Sequence, residues 1–243
     1  MSYFYISTTI LPPTSSPPPY FSDMKQSSLD ILHEGQGYVV INKPAGIATE
    51  KHFNYDTVEA RAQVQWKRPR SLKEAFVGIV HRLDRPVSGA LLLAKNKSTL
   101  RLLNEAFAEK KVRKTYWAIT DRPLPAEAGE LRHFMARDRM GKKAIAATRP
   151  IPGAKEARLK YALRFAADGK FYWEVEPITG RFHQIRAQLA TAGAPIIGDA
   201  TYGSLHPLQP NCIALHARTL RFADPHTKEP VEITAPLPEY WPD

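Results

Sequence analysis

Gly78-Ile79-Val80-His81-Arg82-Leu83-Asp84-Arg85-Pro86-Val87-Ser88-Gly89 is the stretch from which the rest of the chain is read. Short apolar runs flank it, Phe76 to Val80 before and Ala90 to Ala94 after. Runs of that length, apolar and bounded by turn residues, read as buried strands. Between them lie a histidine, arginines and one aspartate, closed by Pro86 and Ser88-Gly89. A carboxylate at a strand-to-loop junction, with cations on both sides, is a candidate for chemistry. Arg82 and Arg85 favour the ionised form of Asp84.

Working outward, Tyr38 to Asn42 reads as a strand, and Lys43-Pro44-Ala45-Gly46 turns out of it. Thr57 to Trp66 reads as a helix with Asp56 as its N-cap. After the central stretch, Asn96 or Ser98 caps a helix whose Leu100, Leu103 and Phe107 fall on one face. That helix runs into the basic cluster Glu109-Lys110-Lys111-Val112-Arg113-Lys114 and then a strand, Tyr116 to Thr120. Residues 121–129 form a Pro-rich loop. Strand-like pieces follow at Leu131–Ala136, Ala144–Thr148, Leu159–Phe165 and Lys170–Val175, with Asp168-Gly169 as a hairpin turn between the last two. Gly180 to Ala192 reads as a helix burying Phe182, Ile185 and Leu189, ended by Gly193. Thr219–Phe222 and Val231–Thr234 are late strands around Asp224-Pro225-His226. Many strands with few helices between them argue for antiparallel pairing. The expected class is α+β, a mixed and mostly antiparallel sheet flanked by helices.

The chain has 243 residues and a formal net charge of +10. Such a balance favours a polyanionic partner, nucleic acid first, because phosphate contacts need spread Lys and Arg. Cys212 is the only cysteine, which excludes an intrachain disulfide and Cys-rich zinc sites. That usage suits a reducing compartment, so a cytoplasmic location is expected. No run of about 18 apolar residues occurs, so no membrane span is expected. Residues 1–28, rich in Pro, Ser and Thr, read as a disordered or loosely docked extension ahead of one catalytic domain over 29–243.

His81-Arg82-Leu83-Asp84, then Ser88-Gly89 and Leu91-Leu92-Leu93-Ala94-Lys95, resembles the catalytic segment of the RluA-type RNA pseudouridine synthases. Further segments agree in order: Asn42-Lys43-Pro44-Ala45-Gly46, Lys114-Thr115-Tyr116, Thr179-Gly180-Arg181-Phe182-His183-Gln184-Ile185-Arg186, Gly198-Asp199 with Tyr202-Gly203, and Leu215-His216-Ala217. The resemblance covers roughly residues 30 to 237 and leaves no room for an N-terminal S4-type module. Val87 and Phe182 stand where the family usually has Thr, each without the hydroxyl.

The resemblance implies an isomerisation. A uridine loses its N1–C1′ bond, the base rotates, and C5 bonds to C1′, with no cofactor and no metal. Asp84 is then the catalytic carboxylate, acting either as nucleophile or as base at the sugar. Arg186 pairs with it in a fork that Lys could not reproduce. Tyr116 sits against the target base and either accepts the C5 proton or only stacks. Arg82 fills the gap left by the flipped uridine. Arg181 and His183 contact phosphate or support the pocket, and Leu215 lines its floor. The basic tip around Arg139, Lys142 and Lys143 grips RNA backbone outside the pocket. The expected partner is tRNA or rRNA, met by a monomer working without a guide RNA.

Rival chemistries fit poorly. His81, Asp84, His183 and His216 match no metal-ligand spacing, and Pro86-Val87-Ser88-Gly89-Ala90 lacks the glycines of a Gly-x-Ser-x-Gly elbow. Gly141-Lys142 lacks the upstream glycine of a P-loop. A non-catalytic RNA-binding relative of the synthases is the remaining alternative, opposed by the presence of Asp84, Tyr116 and Arg186.

Overall fold

The computed structural model describes residues 28–52 and 56–242. The extension read over 1–28 therefore lies, apart from Ser28, outside the described residues. The elements in chain order are β1 Asp30–Gly35, β2 Tyr38–Lys43, α1 Val58–Gln65, β3 Gly78–Ile79, β4 Ser88–Ala94, α2 Lys97–Ala108, β5 Arg113–Thr120, β6 Ala128–Arg137, β7 Ala144–Ala147, β8 Lys155–Ala167, β9 Lys170–Pro177, α3 Gln184–Thr191, β10 Leu215–Ala223 and β11 Pro230–Thr234. The strands form one sheet in the order β1-β2-β4-β10-β5-β9-β8-β6-β7, with β3 beside β4 and β11 beside β10. Among the described residues its ladders are antiparallel except β4 with β10, which run parallel through Ser88–His216 and Gly89–Ala217. The expected mixed, mostly antiparallel α+β sheet is what forms. No helix among the described residues is long and apolar enough to cross a membrane.

The alternation of side chains along β2 and β4 divides the core. Val39, Ile41, Leu91 and Leu93 point to the larger cluster, shared with Leu83, Tyr116, Ile185 and Leu215. Tyr38, Val40, Ala90, Leu92 and Ala94 point to the opposite face, where Leu103 of α2, Leu220 and Phe222 cover them. Every residue of β4 is buried, so the stretch that begins at Asp84 is anchored in the middle of the molecule. Emptying one such site, Leu91→Ala for example, costs about 2–5 kcal/mol. Gly89 has φ +112, and a Cβ built there would strike the Ala217 backbone of β10. The close parallel approach of β4 and β10 thus requires glycine.

Local details differ from the sequence reading where polar side chains compete. Thr57, not Asp56, caps α1 by accepting from Ala60 N–H at 3.1 Å, while Asp56 pairs with Arg61. Asn96 caps α2 through Thr99 N–H at 2.9 Å. The run Phe76–Val80 pairs only at Gly78–Ile79. β10 begins at Leu215 instead of Thr219, and β6 begins inside the expected Pro-rich loop. β1 was not expected, because Asp-Ile-Leu-His-Glu-Gly has little apolar alternation.

The helix expected from Gly180 starts only at Gln184, since His183 takes a left-handed φ of 51°. Gln184 explains the delay. Its Oε1 accepts from Arg181 N–H at 2.9 Å and Thr179 Oγ1 at 2.8 Å, and its Nε2 donates to Arg158 C=O at 3.0 Å. These bonds tie Thr179–Arg181 into a turn against β8, and Phe182 is left half-buried outside the helical stripe. Gly193, at φ +90, ends the helix as expected.

Candidate active site

The loop between β3 and β4 carries Asp84, and buried groups hold it from below. Thr49 Oγ1 donates to Leu83 C=O at 2.9 Å and accepts from Leu83 N–H at 3.3 Å. Gly46 N–H donates to Arg85 C=O at 2.8 Å, and Val87 N–H to Asp84 C=O at 3.0 Å. The Lys43 ammonium, fully buried, donates to the carbonyls of Val87 at 2.7 Å, Pro44 at 2.9 Å and Arg85 at 3.3 Å. Burial lowers the Lys43 pKa to about 7, and the nearby Asp84 charge works the other way. A lysine read as part of a turn is thus the clamp under the loop.

Asp84 points into a cavity of about 480 Å3. Its Oδ2 accepts from Arg186 Nη1 at 3.1 Å. Arg186 is in turn gripped by Asp199, with Nε to Oδ2 at 2.7 Å and Nη2 to Oδ1 at 2.9 Å. This is the bidentate fork that makes arginine–carboxylate pairs directional. The side chains are 5% exposed for Arg186, 1% for Asp199 and 26% for Asp84, so of the two carboxylates it is Asp84 that faces a visitor. Burial works against the Arg186 charge, but the bonds and charge of Asp199, then Asp84, outweigh it and raise its pKa. Arg186 meets Asp84 as expected, but through one bond, and the fork expected with Asp84 is made with Asp199 instead. Asp199 received no role from sequence, and the only signal was its place in a matched segment.

A second chain of contacts reaches Asp84 through His183. Ala144 N–H donates to the Tyr202 hydroxyl at 2.8 Å, and that hydroxyl lies 3.0 Å from His183 Nδ1. Which of the two donates follows from the imidazole tautomer. Nε2 stands 3.7 Å from Asp84 Oδ2. Burial lowers the His183 pKa, so the ring is neutral at pH 7. The Phe182 ring stacks on His183 at 3.8 Å, with the Arg137 guanidinium 4.3 Å from the Phe182 centroid.

The remaining walls come from alternate residues of β5 and from β10. Lys114 and Tyr116 share one face and line the cavity with Leu215 and Val87. Burial, reinforced by the Asp84 charge, pushes the Tyr116 hydroxyl far above its ordinary pKa. His81 accepts from Leu92 N–H at 3.1 Å and stacks on Phe107, and burial, helped by the Lys114 charge, drives its pKa down to about 3. It is a neutral supporting group. Arg82 stands at the rim, 52% exposed and paired with Glu50 at 2.6 Å. Arg181 lines the cavity with Nε on Glu156 C=O at 3.0 Å. Arg139, Lys142 and Lys143 sit in the β6–β7 turn, away from the cavity lining. The residues of that basic segment and of Arg113-Lys114 that do line the cavity are Arg137 and Lys114.

Residues 37–191 match the family described as RNA pseudouridylate synthase. The chain is 34% identical over 212 residues to the uncharacterized RNA pseudouridine synthase YhcT of Bacillus subtilis, covering 86% of this chain and 69% of that one. It is 31% identical over 237 residues to tRNA pseudouridine synthase C of Haemophilus ducreyi, covering 88% and 93%. It is 32% identical over 217 residues to ribosomal large subunit pseudouridine synthase C of the same organism, covering 85% and 65%. Among solved structures, human RNA pseudouridylate synthase domain containing 1 superposes with a TM-score of 0.71 at 24% identity, covering 88% of this chain and 85% of that one, which shows the shared fold. The chain belongs to the RNA pseudouridylate synthase family and is an RNA pseudouridine synthase, an isomerase whose partner is RNA.

Proposed function

We propose that the chain converts a uridine of a tRNA or rRNA to pseudouridine with Asp84 as the catalytic carboxylate. The observation that carries this reading is the Asp84 carboxylate facing a cavity while its partner Arg186 is locked from behind by buried Asp199. A guanidinium so held fixes the direction in which the carboxylate points. The atoms balance without any co-reactant. The N1–C1′ bond breaks, the C5–C1′ bond forms, C5 gives up its proton and N1 of the product carries one. Asp84 acts at the sugar or as the base that removes a proton there.

The other expected residues take roles that the geometry supports. Tyr116 and Leu215 enclose the base, and the raised Tyr116 pKa makes its hydroxyl a donor at rest. Arg82 leaves Glu50 to occupy the space of the extruded uridine, a role suited to a cation that also stacks. Arg181 and His183 support the rim, while Arg139, Lys142 and Lys143 hold backbone phosphate farther out. Residues 29–243 act as one catalytic domain, a cytoplasmic monomer that needs no guide RNA. The relatives named for tRNA and for ribosomal RNA support both substrate classes.

Pseudouridine mapping of total tRNA and rRNA tests this. Cells lacking the protein are compared with cells complemented by wild type or Asp84→Asn. A site lost on deletion and returned only by wild type is expected. Its return with Asp84→Asn would overturn the role of Asp84.

A further inference from the structure

The cations lining the Asp84 cavity differ in how they are held. Arg186 is forked on Asp199, Arg82 is paired with Glu50, Arg181 donates to Glu156 C=O, and Arg137 lies on the Phe182 ring. Lys114 has no such tie. It is partly buried, and burial alone acts on its pKa and lowers it. Among the described residues its ammonium meets the Phe107 ring, 5.6 Å from the centroid, and no carboxylate or hydrogen-bond acceptor. Phe107 in turn stacks on His81, which is neutral, so the wall around Lys114 supplies no counter-charge. A desolvated ammonium without an acceptor is costly to keep. In a reaction cavity, such a group points to an acceptor that arrives with the substrate.

The position of Lys114 indicates which part of the substrate that is. Lys114 and Tyr116 are alternate residues of β5, on one face and about 7 Å apart along the strand. The Asp84 charge acts on the Tyr116 hydroxyl but not on Lys114. The three therefore follow one another across the cavity, Asp84 first and Lys114 last. A uridine with C1′ over Asp84 and its base against Tyr116 presents the far edge of that base, where O4 lies, to Lys114. When N1–C1′ breaks, the bonding pair leaves with the uracil. Resonance spreads that negative charge from N1 over O2 and O4. The charge disappears again once C5 has bonded to C1′.

We propose that Lys114 is a catalytic residue that donates a hydrogen bond at the O4 edge of the departing uracil and stabilises its negative charge. The proposal rests on Asp84 marking the sugar of the reacting uridine. A donor aimed at charge that develops only during the reaction raises kcat more than it tightens binding. The neutral rings of His81 and Phe107 lower the local dielectric and strengthen the interaction.

The test uses an RNA hairpin whose uridine wild type converts, and the same hairpin with 5-fluorouridine at that position. Fluorine at C5 withdraws electrons, so the fluorinated base departs more readily and needs less help. Wild type, Lys114→Met and Asp84→Asn are each mixed in excess with either RNA. Loss of the parent nucleoside is followed by digestion and chromatography, and RNA binding is measured alongside. Lys114→Met keeps the length of the side chain and removes its charge. Its rate on uridine should fall by about 10²–10³-fold, the loss that follows removal of one such donor. Its rate on 5-fluorouridine should fall at least about tenfold less, with RNA binding within about threefold of wild type. Both RNAs meet the same protein sample, so partial unfolding cannot produce the difference. An unchanged rate on uridine would overturn the proposal, as would a fall equally large on 5-fluorouridine. Weaker RNA binding with an unchanged rate at saturation would overturn it too, and would assign Lys114 to a phosphate. In each of those cases an inert Asp84→Asn leaves the reading of Asp84 standing. Conversion by Asp84→Asn at a rate near wild type would instead defeat that reading, and the placement of Lys114 with it.

Discussion

Replacing Asp199 separates the geometry of Arg186 from its mere presence. Arg186 is 5% exposed and makes two bonds to Asp199, at 2.7 and 2.9 Å, against one to Asp84 at 3.1 Å. Asp199→Ala leaves a buried guanidinium with one partner. Hydrogen bonds to charged groups contribute about 1.5–3 kcal/mol each. Breaking a buried pair by removing one partner costs about 3–5 kcal/mol. Both estimates describe the same loss, and the surviving Asp84 contact places it at the lower end, about 3 kcal/mol. Against a total stability of about 5–15 kcal/mol the variant stays folded. With a urea slope of about 3 kcal/mol/M, its midpoint falls by about 1 M. Asp199→Asn keeps an acceptor oxygen and loses the charge, so it falls by about half as much. Both variants should lose at least about tenfold in kcat with little change in KM, because RNA meets the rim and not Asp199. Urea unfolding followed by Trp fluorescence, with single-turnover pseudouridine formation, reads both effects. An Asp199→Ala protein with the wild-type midpoint and kcat would refute the account of Arg186 as an aimed group.

Tyr116→Phe, which keeps the ring, should lower kcat by at least about tenfold and leave KM within about twofold, whereas Tyr116→Leu should raise KM as well; steady-state kinetics on one RNA hairpin checks both. Arg82→Ala should change the urea midpoint little, since an exposed ion pair contributes about 0–1 kcal/mol, while kcat/KM falls. Equal stability and equal kcat/KM would remove Arg82 from the extrusion step. Lys43 gives a pH signature. Its folded pKa of about 7 lies below the ordinary lysine value of 10.5, so between those values the unfolded chain binds more protons. Stability should therefore rise with pH across that window, with buried Lys114 adding in the same direction. Lys43→Met should flatten part of the rise, read as urea midpoints at about pH 7.5 and about pH 9.5.

The residues proposed to meet the reacting uridine were more legible than those that hold them. Asp84, Tyr116 and Arg186 each lie in a short segment with its own pattern, and all three line one cavity. Asp199 could not be assigned, because no local pattern tells a carboxylate which guanidinium it will meet 13 residues away. Lys43 looked like turn chemistry because nothing in Lys-Pro-Ala-Gly reveals a buried ammonium. Arg137 and Lys114 were submerged in basic runs, and only strand parity separates cavity-facing members from solvated ones. Strand existence followed from short apolar runs, but strand order did not. β4 lies beside β10, whose partner residue for Ser88 is 128 positions later. Such pairing is decided by which faces can be covered together.

The central claim is that Asp84 does the chemistry and is not needed to hold RNA. Purified wild type and Asp84→Asn, compared on one RNA hairpin for pseudouridine formed and for RNA bound, test it most directly. The account predicts that the variant binds RNA within about threefold of wild type and forms no measurable pseudouridine. Turnover by Asp84→Asn at a rate near that of wild type would contradict it.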